Sequence, residues 1–323
     1  MTPVDRRAIL LYLCVAVALA FVDHRVRSDR HRHHVVSEYI PSVIDGTSGA
    51  PAKYRVLMPY ALQAVAERSG ADPYLVVLGS ELLFILASLI LMHAYLRFWY
   101  SAEASLAGTL AVAALLPLTF TNTWLHPDTF PDLALFTAGC LAVAARRDGW
   151  LMAILAIGML NRETMGFLAV LWAVHRLPGD WRPVTLARGA AIFAVAGGVY
   201  VALRAVRGFE HYRMFMLDEN LQMLKILPPG FDPYTRVAGY FWVVLLAVPA
   251  WLAWSGLRRP DAPRFFRSGF AVAALFLIVA WIFAAIIEVR VLVPALPLLL
   301  PGALHAFATL QRRAPSAPPP RNP

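Results

Sequence analysis

Long apolar runs recur from one end of this chain to the other. About ten of them approach the length of a membrane-spanning helix, and they lie near residues 8–22, 74–96, 104–122, 131–145, 149–160, 165–176, 188–204, 237–256, 269–287 and 291–309. The runs lack the period-two alternation of membrane strands, so helices are the spanning elements that satisfy every backbone polar group. With 59% hydrophobic residues and a mean hydropathy of +0.60, the sequence predicts an all-α polytopic membrane protein.

The apolar runs are interrupted by two longer loops, at about 23–73 and 205–236. We expect the first to be a long outer loop. The second contains an amphipathic stretch that is expected to lie on the membrane surface and cover a cleft. A single transmembrane domain is predicted over 1–310, and the proline-rich segment 311–323 has the composition of a disordered tail.

The basic residues predict the orientation of the helices. With the N-terminus in the cytoplasm, most basic residues in short connections fall on the cytoplasmic side, and the short outer connections hold only Arg162 and Arg290. We therefore expect an integral protein of a plasma membrane, the inner membrane of a bacterium. The net charge of +9 indicates contact with membrane lipids, since no basic–aromatic pattern typical of a nucleic-acid-binding module is present.

The run 149–176 is too short for two full crossings, yet it carries the sequence NRET at its centre, residues 161–164. Two interpretations are open. One long tilted helix would bury NRET in the bilayer and invert the orientation of every later helix. Two short helices that meet at NRET keep the arginine-rich connections in the cytoplasm, so we predict a hairpin at the outer boundary.

Ionisable residues at membrane depth are expensive and are usually functional or paired. In this topology those groups gather at the outer boundary, which predicts one polar cleft there. The candidates for catalysis are Asp23, Glu38, Asp45 and Asp128, and those for substrate binding are Arg55, His126, Arg162, Glu163, Glu288 and Arg290.

Each group also has a purely structural interpretation. Arg162 and Glu163 would pair and cap a turn, and Asp128 would begin the next helix. The histidines of the first loop fit no standard ligand spacing, so no metal site is predicted. A divalent metal cofactor remains an open alternative.

Four features together resemble the GT-C superfamily of membrane glycosyltransferases. They are an acidic residue just after the first helix, a first loop ending in YRVLMP, the short hairpin at NRET, and the late segment EVRVLVPALPLLLP. The resemblance implies a polyprenyl-phosphate sugar as substrate at the outer face. It also implies that Asp23, or else Glu38 or Asp45, is the catalytic base and that Arg55, Arg162 and Arg290 hold the lipid phosphate.

Glycosyl transfer needs a carboxylate to deprotonate an acceptor hydroxyl and cations to stabilise the departing phosphate. Arginine suits phosphate because its planar fork donates two parallel hydrogen bonds. The alternative is a transporter or flippase for an anionic lipid or metabolite. A transporter needs polar groups through the membrane depth and often contains a repeat, whereas polarity here gathers on one side, which favours the enzyme.

Overall fold

A computed structural model describes residues 5–26, 33–120, 127–210, 215–224, 243–284 and 288–313, and over these residues the chain is helical without a strand. The α-helices, numbered in chain order, are α1 Arg6–Val26, α2 Ile40–Ile44, α3 Leu57–Ser69, α4 Pro73–Leu96, α5 Ala102–Leu115, α6 Thr129–Ala144, α7 Asp148–Asn161, α8 Phe167–Arg176, α9 Pro183–Arg207, α10 Leu217–Leu224, α11 Val248–Leu257, α12 Arg264–Phe283 and α13 Ala295–Arg313.

Five helical segments are long and apolar enough to cross a membrane, which supports a helical membrane protein. They are Arg6–Val26, Pro73–Leu96, Ala102–Thr119, Pro183–Arg207 and Arg264–Phe283. A described helix also lies within each remaining apolar run. Several of these are short, as predicted: α7 has 14 residues, about 21 Å of helix, against a hydrocarbon core of about 30 Å.

The NRET segment is a hairpin of two short helices. The backbone of Arg162 is extended, with φ −156° and ψ 141°, and a 3₁₀ turn over Glu163–Gly166 leads into α8. Trp172 on α8 donates a hydrogen bond of 2.9 Å from Nε1 to the carboxylate of Asp148 at the start of α7. The chain therefore doubles back, and the single long helix is excluded.

The first long loop is largely helical. A π-helical turn over Val35–Tyr39 runs into α2, and α3 follows. Apolar residues of these elements form a small core of their own on the first turns of α4, separate from the main core. The loop is therefore a packed cap on one end of the helix bundle.

The described part of the second long loop packs on the end of α12. Asn220 on α10 donates hydrogen bonds of 2.7 Å to the backbone carbonyls of Trp281 and Ala284, and Met216 donates its backbone N–H to Ile282. These contacts satisfy carbonyls that the end of a helix leaves without partners. They hold the predicted amphipathic segment over this end of the bundle.

The last helix packs closely on α11. A Cβ added to Gly256 would overlap the carbonyl oxygen of Gly302, so glycine is needed for this approach, as in other membrane-helix contacts built on small residues. α13 continues to Arg313. The first residues of the predicted tail are therefore helical, and 314–323 lie outside the described residues.

Candidate functional site

Two carboxylates and two guanidinium groups meet where the first-loop cap contacts α6 and the hairpin. Arg162 donates from Nε to Asp128 Oδ2 at 2.5 Å, and its Nη1 lies 3.5 Å from Asp132 Oδ2. Arg55 approaches Asp128 Oδ2 with Nη1 at 3.3 Å. We call these four residues, Arg55, Asp128, Asp132 and Arg162, the Asp128 cluster.

The geometry of α6 and α7 creates this cluster. Asp128 immediately precedes α6 and Asp132 lies four residues on, so both side chains project from the same face of the helix. Asn161, the last residue of α7, donates from Nδ2 to the backbone carbonyl of Asp128 at 2.9 Å. This bond fixes the end of α7 against the start of α6, and the extended backbone at Arg162 then directs its side chain toward the two aspartates.

The cluster is buried, and its charges compensate one another. Asp128 and Asp132 are each 1% exposed and Arg162 is 2% exposed. Unpaired charges would be costly in such a place, whereas paired and hydrogen-bonded charges are tolerated. The structural interpretation from the sequence paired Arg162 with the adjacent Glu163. In the structure Arg162 pairs with Asp128 and Asp132 instead.

Tyr39 lies close to the cluster, at the end of the π-helical turn in the cap. Burial and the Asp128 carboxylate raise the pKa of Tyr39, whereas Arg55, Arg162 and Arg290 act in the opposite direction. The phenol therefore stays protonated. Its position shows that the first-loop cap covers the charged groups.

The guanidinium of Arg162 keeps hydrogen-bonding capacity beyond its two aspartates. Its Nη2 is buried without a hydrogen-bond partner among the described residues, as is Nε of Arg55. Both arginines also line a neighbouring cavity. Buried donors of this kind need a partner, and an anion held at the cavity wall would supply one.

The cavity beside the hairpin, which we call the hairpin cavity, has a volume of about 330 Å³. Its polar lining consists of Arg55, Arg162, Glu163, Thr164 and Glu288. Its apolar lining comes from one face of α12 and the residue after it, from the start of α8 and from the second loop. These residues are Phe276, Val279, Ala280, Phe283 and Ala284, then Phe167, and then Met216. The cavity therefore has a charged part and an apolar wall.

Arg290 is joined to this cavity through its neighbour. It is 3% exposed, and its Nη2 donates to Glu288 Oε2 at 2.6 Å. Glu288 lines the hairpin cavity. Nε and Nη1 of Arg290 find no partner among the described residues, so a third guanidinium with spare donors lies behind the cavity wall.

Other candidates from the sequence are placed elsewhere. Asp23 is buried at the end of α1 and is not a lining residue. Glu38 is exposed and pairs with His34 at 2.6 Å, and Asp45 is exposed after α2. None of these first-loop carboxylates contacts the cavity. His126 lies outside the described residues.

The roles of Asp132 and Asn161 were not predicted from the sequence. The signal for Asp132 was its spacing of four residues from Asp128 on a helical run, which places both carboxylates on one face. The signal for Asn161 was weaker, because an amide at a helix end is usually a local cap.

Within the described ranges, no group of three or more histidine, cysteine, aspartate or glutamate residues is arranged to hold a metal ion. The two aspartates of the Asp128 cluster are instead neutralised by arginines. Among the described lining residues of the hairpin cavity, Arg55 and Arg162 carry the positive charges.

The cluster and the cavity lie at one end of the bundle. Near the opposite end, Asp148 at the start of α7 contacts Trp172 of α8 and Arg188 of α9. The far end of α9 returns to the cap, where Tyr54 donates to the carbonyl of Gly208 at 2.8 Å.

Comparison of the chain with protein-family models, with curated proteins and with solved structures finds no match.

Proposed function

We propose that this protein is a membrane glycosyltransferase that takes its sugar from a lipid-phosphate carrier, such as a polyprenyl-phosphate sugar. In this proposal the chain crosses a bacterial plasma membrane with ten helices and a cytoplasmic N-terminus. The hairpin cavity then opens at the outer face, beside the lipid headgroups.

The observation that carries the proposal is the division of the hairpin cavity into a charged part, which includes Arg55 and Arg162, and an apolar wall. A lipid phosphate has the same two parts, since a charged head is followed by a hydrocarbon chain. Arg55 and Arg162 would hold the phosphate, because each keeps a guanidinium nitrogen without a described partner. The hydrocarbon chain would follow the α12 residues Phe276, Val279 and Phe283.

We propose Glu163 as the catalytic base in place of a first-loop carboxylate. It lines the hairpin cavity, and it follows Arg162 directly in the chain. Its carboxylate forms no hydrogen bond or ion pair with a described residue. Glu288 also lines the cavity, but it is bonded to Arg290, and Asp128 is engaged by two arginines.

The reaction is a single displacement at the anomeric carbon. Glu163 accepts the proton of an acceptor hydroxyl, whose oxygen forms a bond to the anomeric carbon of the sugar. The bond from that carbon to the phosphate oxygen breaks, and both its electrons leave with the polyprenyl phosphate. Arg55 and Arg162 stabilise the charge that develops on the phosphate. Asp128 positions Arg162 and does not touch the substrate.

The test is turnover by the purified chain in detergent with a panel of radiolabelled polyprenyl-phosphate hexoses and pentoses as donors and with membrane lipids and glycans as acceptors, measured as release of free polyprenyl phosphate. We expect Glu163→Gln to lower the rate by at least about 10²-fold, with binding of the donor retained. The matched control is Glu67→Gln, because Glu67 is exposed on α3 and pairs only with Gln63 there. That variant should turn over like the parent chain.

Two results would contradict parts of the proposal. Loss of turnover in Glu288→Gln but not in Glu163→Gln would move the base to Glu288. No turnover with any donor, combined with movement of labelled lipid phosphate across proteoliposome membranes, would replace the transferase with the transporter.

A further inference from the structure

A second concave surface lies on the other side of the hairpin, between α9, the start of α3 and the end of α7. We call it the α9 groove. Its volume is about 620 Å³, and its apolar lining includes Leu57, Leu160, Val199, Leu203 and Val206. The lining on α9 extends from Val199 to Arg207, about 12 Å along the helix axis, which is long enough to hold much of an acyl chain.

The groove is open at the surface of the helix bundle. The helix that forms its longest wall, α9, is a candidate membrane span whose residues are mostly unburied. Val206 is 82% exposed and Tyr60 is 46% exposed. A contiguous apolar surface of this kind in a membrane protein contacts lipid chains.

Two arginines that pair with no described carboxylate lie at the end of α9 that borders the groove. Arg207 lines the groove, and its hydrogen bonds to described residues go to neutral acceptors, the carbonyls of Val43 and Ile44 and the hydroxyl of Tyr60. Arg204, one turn earlier, is held between aromatic rings, with its guanidinium carbon 4.2 Å from the Tyr54 ring centre and 3.4 Å from that of Tyr200.

Neither arginine forms an ion pair with a residue that the structure describes. Glu210, three residues after Arg207, pairs instead with Lys53 at 3.2 Å, and this pair is neutral as a unit. Within the part of the chain that the structure describes, no carboxylate pairs with Arg204 or Arg207, and their charges are uncompensated there. A buried or interfacial arginine attracts an anion, and lipid phosphate is the anion available beside an apolar groove.

We propose that the α9 groove is a binding site for an anionic membrane phospholipid, with its headgroup at Arg207 and one acyl chain along α9. The site is distinct from the hairpin cavity and does not depend on the proposed transferase reaction. The lipid would contact the residues next to Arg55 in the chain, since Val56 and Leu57 line the groove.

The test compares two lipids with identical acyl chains and different headgroup charge. The full chain in dodecyl maltoside is titrated with dioleoylphosphatidylglycerol or dioleoylphosphatidylcholine, and bound lipid is counted by native mass spectrometry. We expect the anionic lipid to bind at least about fivefold more tightly, the effect of about one uncompensated arginine near a headgroup.

Charge variants locate the headgroup. Arg207→Gln should weaken phosphatidylglycerol binding about fivefold and leave phosphatidylcholine unchanged, while Arg207→Lys should retain most of the preference. The matched control is Arg188→Gln, because Arg188 is exposed at the opposite end of the same helix. Equal binding of the two lipids by the parent chain, or an equal loss in the Arg188 and Arg207 variants, would overturn the proposal.

A variant that fills the groove tests the acyl-chain position without removing charge. Ala202 lines the groove and is exposed, so Ala202→Trp occupies the space without disturbing the core. It should reduce binding of both lipids, whereas Ala194→Trp, at an exposed position of α9 outside the groove, should not. Unchanged binding in Ala202→Trp would place the lipid elsewhere and refute the site.

Discussion

Removing either partner of the ion pair between Asp128 and Arg162 should destabilise the fold strongly. Removing both partners in a double variant should cost less stability than the sum of the two single losses. As ionised, the cluster balances two carboxylates against two guanidinium groups. Asp128→Asn leaves an excess positive charge and Arg162→Gln leaves an excess negative charge. The double variant leaves Asp132 with Arg55, so its charges balance again.

The magnitude follows from burial and geometry. Both side chains of the pair are at most 2% exposed, and they meet at 2.5 Å. Removing one partner of such a pair costs about 3–5 kcal/mol, because the other charge is left buried and unpaired. At about 2–4 °C per kcal/mol, each single variant should lower Tm by about 6 °C or more. A coupling of about 1–3 kcal/mol should make the loss in the double variant about 2–12 °C smaller than the sum.

The assay is thermal unfolding of the purified chain in one detergent, followed by tryptophan fluorescence for the parent, both single variants and the double variant. The control is Arg182→Gln, because Arg182 is 74% exposed and pairs with Asp180 at 2.7 Å in the turn before α9. Removing that pair should change Tm little, since exposed pairs are weak. Losses below about 2 °C in both single variants, or strictly additive losses, would refute the compensated buried cluster.

Two further predictions concern packing and topology. Gly256→Ala should lower Tm by several degrees, because the added methyl would overlap the carbonyl of Gly302. The control Gly149→Ala should leave Tm unchanged or slightly higher, since a Cβ at Gly149 meets nothing within 4 Å. Equal shifts in the two variants would contradict the close approach of α11 and α13. The orientation is tested in a chain without its two native cysteines. Thr164→Cys should react in intact cells with a membrane-impermeant thiol reagent, whereas Gly149→Cys should react only after lysis. The reverse pattern would invert the proposed orientation.

The helical membrane architecture could be predicted because it depends on local properties of the chain. Continuous apolar runs allow only helices in lipid. Polar residues in the middle of the run 149–176, together with the arginine-rich connections that follow, favour a break over one long helix. The hairpin at NRET could therefore be predicted from composition and charge. The first long loop was predicted less well, since apolar stretches around Val43 and Leu62 are too short for a span and yet pack together.

The partners of the charged residues could not be read from the sequence. Arg162 precedes Glu163, and proximity in the chain favours their pairing. In the fold, the extended backbone at Arg162 directs its side chain to Asp128 and Asp132, more than 25 residues away. The packing of several helices determines which face of α6 meets the hairpin. The packing also leaves Glu38 and Asp45 exposed and away from the cavity.

The most direct measurement is the position of a polyprenyl monophosphate bound to the protein, determined by electron cryomicroscopy of the full chain in a lipid nanodisc. The phosphate should lie within hydrogen-bond distance of Arg55 and Arg162, with the prenyl chain against Phe276 and Phe283 of α12. Density for the lipid only outside the hairpin cavity, with the unpartnered nitrogens of both arginines facing empty space, would contradict the proposed function.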